Sequence, residues 1–307
     1  PCAYEIYSHA RLAVGERKVV IVTLYRRLMS TPKSEGKQRF AVLDCEDAVK
    51  WDGLAIALSR LFSKEGDTWE HFRCWSGELP ALSEIHTYTG LLITGSHSGV
   101  NDPDAWIEDL RRFLGKVVVH GGVKVFGTCF GCQLLAQALG GRAGANPKGK
   151  FVLQREELRC TETMLARRDY QTAAGIIPPA AGVGGVRLSV FESHGDQVLA
   201  LPPGAESLAS SDSAEVEVWA LGEDVLAWQG HPELSAQAMV SKITPYIRQL
   251  SEDDRAAARS SFQIATDALL LLAMARAFLR GGACIGDTAE SVKAHFAAAS
   301  AVLANQG

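Results

Sequence analysis

The sequence predicts an α/β fold: a mostly parallel central sheet with helices on both faces, followed by a helical C-terminal extension. Two observations predict it. From Phe40 onward, short apolar runs alternate with segments whose apolar residues recur at helical spacing, and that alternation marks a parallel sheet covered on both sides. At 124–141, KVFGTCFGCQLLAQALGG, an apolar strand runs directly into a helix through a Gly-Thr-Cys-Phe-Gly junction.

The elements follow in order. FAVLDC (40–45) reads as a buried strand, and 54–62 as a helix turning Leu54, Ile56, Ala57, Leu58, Leu61 and Phe62 inward. HFRCW (71–75) and GLLIT (90–94) are the next strands, the latter leading into GSHSGVND. Residues 104–114 form a helix with Trp106, Leu110 and Leu114 on one side. The strand at 123–126 and the helix after Cys129, carrying Leu134, Leu135, Ala138 and Leu139, complete the first half. The second half is richer in strands, at 151–158, 186–191, 206–210, 216–221 and 225–229. A Gly/Pro/Ala-rich stretch at 173–186 reads as a loop. Helices are expected at 234–250, 262–280 and 288–304. The expected organisation is an N-terminal extension (1–39), an α/β domain (40–250) and a helical extension (251–307).

Composition narrows the function classes. The chain has 307 residues, 47% of them hydrophobic, and a net charge of −4, which gives no basis for a nucleic-acid or membrane surface. The longest apolar stretch, 268–275, lies between Asp267 and Arg276 and is far short of the roughly 20 residues that span a bilayer. Seven cysteines without a regular framework read as free thiols of a reducing, cytoplasmic compartment. Residues 1–39 carry eight Lys or Arg and three Glu, a pattern open to a strand, a short helix or a targeting segment. Cys129 and Cys132 have CxxC spacing, but no second CxxC completes a zinc site, and neither a metal nor a cofactor is expected.

A cysteine on a tight strand-to-helix turn gains the partial positive charge and free N–H groups of the helix start, which favour thiolate and can hold an oxyanion. Flanking Gly127 and Gly131 allow a sharp turn and close helix packing. This is nucleophile-elbow logic with Cys in place of Ser; a buried structural cysteine among small residues is the competing reading. Such a nucleophile needs a base. His9, His71, His86, His120 and His295 have no distinctive neighbours, whereas His97 (TGSHSG), His194 (FESHGDQV) and His231 (AWQGHPEL) do. His231 follows an apolar strand, where the sites of open α/β sheets gather. Glu233 lies two residues on, on the same side of an extended segment stiffened by Pro232, and can orient the His231 ring toward Cys129.

At this point GTCFGCQLLAQALGG resembles the G-x-C-x-G-x-Q signature of class I glutamine amidotransferase domains, and QGHPE resembles their His-Pro-Glu end. The likeness continues through FAVLDCED, GLLITGSHSGVNDPDAWIEDL and SHGDQVLALPPGAESLASSD. It covers about residues 40–250, and within the family it is nearest to the stand-alone, GMP-synthase-like branch that includes plant γ-glutamyl peptidases. The resemblance implies Cys129 as nucleophile, His231 as general base and Glu233 as its orienter. It implies oxyanion donors on Phe130 and on Gly95 or Ser96, although Ser96 and His97 stand where Gly and Pro are common. It implies Gln133 near the γ-glutamyl group, and Ser193, His194 and Asp196 as holders of the substrate's α-amino and α-carboxylate ends.

The implied chemistry is attack on a γ-glutamyl amide to give a thioester that water hydrolyses. The favoured function is a hydrolase acting alone on a small-molecule γ-glutamyl compound such as glutathione, a glutathione conjugate or glutamine. The alternative is a glutaminase subunit supplying ammonia to a separate synthase; a synthase within the chain would need a phosphate loop, and no G-x-x-x-x-G-K-[ST] is present. A catalytically dead binding protein would need a broken triad.

Overall fold

Alternating burial builds the centre of the sheet. In β1 (Arg39–Asp44), Phe40 and Val42 face one way and Ala41 and Leu43 the other, and all four are fully buried, as a strand covered on both faces requires. The computed structural model describes residues 37–179, 187–282 and 286–304, so the expected N-terminal extension lies almost wholly outside the described residues. The strands after β1 are β2 (Thr68–Arg73), β3 (Gly90–Ile93), β4 (Lys124–Thr128), β5 (Arg142–Ala145), β6 (Val152–Cys160), β7 (Arg187–His194), β8 (Asp196–Ala200), β9 (Glu206–Ser210), β10 (Val218–Leu221) and β11 (Val225–Trp228). Nine of them form one sheet in the order β2-β1-β3-β4-β11-β10-β9-β6-β7, and β5 pairs with β8 separately.

The half β2-β1-β3-β4-β11 is parallel throughout. Its carboxyl ends therefore open on one edge, where ligand sites of such sheets form. The other half is antiparallel. It returns the end of β7 to the end of β11: the backbone N–H of His231 donates to the carbonyl of Phe191 at 2.8 Å.

Helices cover both faces. Phe40, Val42, Leu92, Phe126 and Leu226 pack with α1 (Leu54–Phe62). Ala41, Leu43, Leu91, Ile93, Val125 and Ala227 pack with α2 (Ala105–His120) and α3 (Phe130–Ala138). Short helices α4 (Glu162–Ala166) and α5 (Arg168–Ile176) follow β6. The C-terminal part comprises α6 (Glu252–Ser261), α7 (Ala268–Leu279) and α8 (Ala289–Ala304). From residue 37 onward the described residues cluster as one compact unit, and α7 and α8 share the α1 core.

Several local expectations shift. The strand expected at 71–75 runs Thr68–Arg73, and Cys74–Ser76 is a 3-10 turn. The Gly/Pro/Ala-rich stretch begins inside α5, while 180–186 lie outside the described residues. No continuous helix occupies 234–250. A single turn at Ala236–Ala238 widens into a π turn at Met239–Ile243 and tightens at Thr244–Tyr246. Pro245 cannot donate to the helix ladder, and Thr244 Oγ1 donates to the Met239 carbonyl instead, at 2.8 Å. Helix α6 was missed; the Ser251–Asp254 capping box starts it. The helix expected from 262 starts at Ala268, because Asp267 is tied to β7: its carboxylate accepts from Ser189 N and Oγ, each at 2.8 Å.

Helix α7 is buried on every side except at Leu269, the pattern of a core helix. Its arginines terminate α1. Arg276 Nη1 donates to the Leu61 carbonyl at 2.6 Å and Arg280 Nη2 to the Phe62 carbonyl at 2.9 Å, satisfying orphan carbonyls of a helix end. Arg276 also pairs with Asp287 at 3.1 Å, and both side chains are buried. Replacing Arg276 by Ala removes one of the two cations beside the buried Asp287 carboxylate, Lys64 at 3.1 Å being the other, together with the donor to the Leu61 carbonyl, so urea unfolding should show a loss of about 3 kcal/mol. A loss under about 1 kcal/mol would be that of a surface ion pair and would remove the guanidinium from this role.

Candidate active site

Among the described residues Cys129 alone combines a side chain with positive φ, 50°, at ψ −109°. Such strained backbone persists only where its surroundings impose it. Here the first turn of α3 is pressed between β3 and β4. A Cβ on Gly131 would sit 2.6 Å from the Ile93 carbonyl oxygen, and one on Gly127 would sit 2.7 Å from the Gly131 backbone. Both positions exclude any other residue. The turn is stitched to both neighbouring strands: Cys129 N donates to Trp228 O at 3.0 Å, and Gly131 N to Thr94 O at 3.2 Å. Phe130, the first residue of α3, has an N–H without an intrahelical acceptor.

The residue after Thr94 is Gly95, and Gly230 and His231 follow β11 closely. A Cβ on Gly95 would lie 3.4 Å from His231 Cε1 and 3.6 Å from Cys129 Cβ, so the three positions are in mutual contact range. His231 Nδ1 and Glu233 Oε1 are 2.7 Å apart, which leaves Nε2 as the other ring nitrogen. Burial alone would lower the His231 pKa; the Glu233 carboxylate and Cys129 outweigh it and hold the imidazole well above its ordinary value. Cys129 Sγ lies 3.9 Å from the Ser193 carbonyl oxygen.

One cavity of about 580 Å³ is lined by Gly95, Ser96, Cys129, Phe130, Gln133, Ser193, His194, Asp196, His231 and Glu233 together. The structure thus brings all ten candidate residues to one place, with differing contacts. Gln133 Nε2 donates to the Asp196 carbonyl at 2.8 Å and to Gln229 Oε1 at 3.1 Å, so it fastens the 193–196 turn. His194 Nδ1 also contacts the Asp196 carbonyl, at 3.0 Å, and burial pushes its pKa down to about 4. His97 stands on the rim, its N and Nδ1 held by the two Glu46 oxygens at 2.9 and 2.7 Å. Glu46, Asp47 and His97 bring three potential ligand atoms within 4.8 Å of one another, but Glu46 is already occupied by His97 and by Ala48 N. Cys132 points away into the core, accepts from Trp219 Nε1 at 3.2 Å, and has its thiol pushed up by burial. Cys129 and Cys132 are both free thiols.

Sequence reasoning missed the opposite wall, where Lys50, Trp51, Leu54, Leu58, Ile243 and Tyr246 line the same cavity. Only the helical spacing of Leu54 and Leu58 gave any signal, and it read as core.

Residues 41–245 match the family described as Glutamine amidotransferase class-I. The chain belongs to this family. It is 30% identical over 260 residues to gamma-glutamyl peptidase 3 of Arabidopsis thaliana, an alignment covering 80% of this chain and 98% of that protein. It is 35% identical over 116 residues to a glutamine-hydrolyzing GMP synthase of Marinobacter nauticus, covering 37% of this chain and 20% of the synthase. A crystal structure of a glutamine amidotransferase from Thermotoga maritima superposes with TM-score 0.61 at 18% identity, covering 80% of this chain and 99% of that one, which establishes the shared fold. The protein is a glutamine-amidotransferase-like hydrolase. Among its described residues no helix is long and apolar enough to cross a membrane.

Beneath the site of this amidotransferase-like enzyme lies a buried carboxyl pair, Glu192 and Glu217. Burial, then the Glu217 charge, pushes the Glu192 carboxyl well up, and burial pushes Glu217 up to about 7. Two such groups cannot both ionise cheaply. Because the folded value for Glu217 exceeds the unfolded one, its stabilising contribution is full below pH about 4.5 and is lost as pH rises to about 7. Glu217→Gln should therefore match the parent near pH 4 and exceed it by roughly 2 kcal/mol at pH 8, read by urea titration; equal stability at both pH values would mean Glu217 titrates normally.

Proposed function

We propose that this protein is a cysteine hydrolase that cleaves γ-glutamyl amide bonds, in glutathione, its conjugates or related γ-glutamyl peptides, through a γ-glutamyl thioester. The observation that carries the proposal is the 2.7 Å His231–Glu233 contact beside a strained Cys129 in a large cavity. At about 580 Å³ the cavity suits a ligand of drug size. Its wall of Trp51, Leu54, Leu58, Ile243 and Tyr246 offers room beyond a scissile amide for a peptide-sized or apolar leaving group. The relative named a γ-glutamyl peptidase aligns over nearly its full length, whereas the GMP synthase aligns over a fifth of its own.

The residues take the following parts. Cys129 Sγ attacks the γ-carbonyl carbon while His231 Nε2 takes the thiol proton, and Glu233 stabilises the resulting imidazolium. The oxyanion receives the Phe130 N–H, at the positive end of α3, and an N–H from Gly95 or Ser96. The C–N bond breaks, His231 returns its proton to the departing amine, and the glutamyl group stays on sulfur. Water deprotonated by His231 then attacks the thioester, releasing glutamate and the thiol. Ser193 and Asp196 face the substrate's charged α-groups, while Gln133 and His194 hold that turn in place.

The purified chain should release glutamate from glutathione without a partner, with kcat/KM above that for glutamine. Activity that appears only when a synthase is added would favour the ammonia-supplying alternative. Cys129→Ala should lose about 10⁴-fold or more in kcat, and His231→Ala a comparable amount. Glu233→Gln should lose less, since the amide oxygen still orients the ring without stabilising its charge. Cys132→Ala should keep most activity, and mass spectrometry should find the trapped glutamyl adduct on Cys129; an adduct on Cys132 would overturn the assignment.

A further inference from the structure

The far wall of the cavity contains a clasp of two lysines. Lys50, in the loop after β1, donates from Nζ to the Lys242 carbonyl at 2.9 Å, and Lys242, in the π turn after β11, donates from Nζ to the Lys50 carbonyl at 2.7 Å. Both ammonium groups lie over the Trp51 indole, at 5.9 and 5.8 Å from its centroid, and Lys50 also lies 3.8 Å from the Tyr246 ring centroid. Lys242 is buried and Lys50 half-buried. Two like charges are thus clamped beside each other where water screens them poorly. Burial lowers both lysine pKa values; for Lys50, Glu46 opposes the shift and Lys242 adds to it. No carboxylate among the described residues makes a salt bridge with Lys50, and its hydrogen bond to the Lys242 carbonyl uses one of three donors. Lys50 lines the same cavity as Cys129.

Of the acidic groups of the cavity, Glu46 acts on Lys50 but has its oxygens taken by His97 and Ala48 N, while two others act on each other. Asp102 and Asp196 line it close enough to raise the Asp196 pKa, after burial, through the Asp102 charge. They suit an α-ammonium and repel a carboxylate. A γ-glutamyl peptide carries both an α-ammonium and, at the far end of its leaving group, a second carboxylate that glutamine lacks. We infer that Lys50, held by the Lys242 carbonyl and the Trp51 and Tyr246 rings, binds the C-terminal carboxylate of the leaving peptide and so selects γ-glutamyl peptides with a free C-terminus. The inference rests on the peptidase reading above and names the substrate class of that site. A carboxylate arriving at Lys50 meets its ammonium directly, and a charge-assisted hydrogen bond of this kind is worth about ten-fold in affinity.

The test compares glutathione, glutathione ethyl ester blocked at the glycyl carboxylate, and γ-glutamyl-p-nitroanilide, which has no second carboxylate. Parent, Lys50→Met and Lys50→Arg are assayed as full chains, with folding checked by circular dichroism. The parent should show a KM for glutathione about ten-fold below that for the ester. Lys50→Met should raise the glutathione KM about ten-fold with little change in kcat, leaving ester and anilide unaffected, and Lys50→Arg should restore most of the difference. Equal KM values for acid and ester in the parent would overturn the inference without needing any variant. So would a Lys50→Met variant that damages all three substrates alike, because Lys50 would then be only a wall residue. In both cases cleavage of the anilide leaves the peptidase reading standing, whereas a parent that cleaves none of the three overturns both.

Discussion

Cys129 keeps its left-handed backbone because the first turn of α3 is wedged against β3 and β4 with no space for a side chain at 127 or 131. The rest of the site depends on that wedge. Two hydrogen bonds, Cys129 N to Trp228 O and Gly131 N to Thr94 O, tie the elbow to the last residues of β11 and the first residue beyond β3. Those strands then deliver His231 and Gly95. The register of a parallel sheet and the closeness of one helix thus fix Cys129, His231 and the Gly95 loop in one operation, and a preorganised electrostatic site needs such fixing. Relaxing the wedge would move all three at once, since the interior has no slack to absorb a shift.

Two histidine–glutamate pairs meet in this region, and burial gives them different electrostatics. His231 and Glu233 are in direct contact at 2.7 Å, and the carboxylate holds the imidazole toward its charged form. His194 Nε2 and Glu192 Oε2 are 3.7 Å apart, with the His194 pKa pushed down to about 4 and Glu192 pushed up. The first pair suits proton transfer. The second suits holding a turn, since neutral groups buried together cost less than charges. Identical residue types two positions apart along the chain therefore end in different roles, decided by solvation and distance.

Much of the parallel half of the fold was legible in the sequence. Runs such as 40–45 and 90–94 are buried on both faces, so they read as continuous apolar strands, and the strand-to-helix junction at Cys129 carries its own glycines. What escaped reading has physical causes. Strands β5 and β8 are short and contain small or mixed residues without clean alternation. Glu192 lies just past the strand expected at 186–191, on the same face as Leu188 and Val190, and the return of β7 toward β11 buries it. The Lys50–Lys242 clasp joins positions 192 residues apart. Each lysine alone looks like solvated charge, and only the fold makes them neighbours. The segment 234–250 has apolar residues enough for a helix, but Pro245 and the cavity wall it must form break the regular spacing.

The α1 helix lends Leu54 and Leu58 to the cavity wall, while its carboxyl end is held by Arg276 and Arg280 from α7. Chain order gives this arrangement a temporal meaning. On the ribosome, the cysteine, all three cavity histidines and all strands of the sheet are synthesised before either arginine. A nascent chain that already holds Cys129, His231 and Glu233 still lacks the groups that close α1 and the helix that covers the sheet. Completion of the wall therefore waits on α7, and the enzyme reaches its finished cavity only after every strand of the sheet has been made.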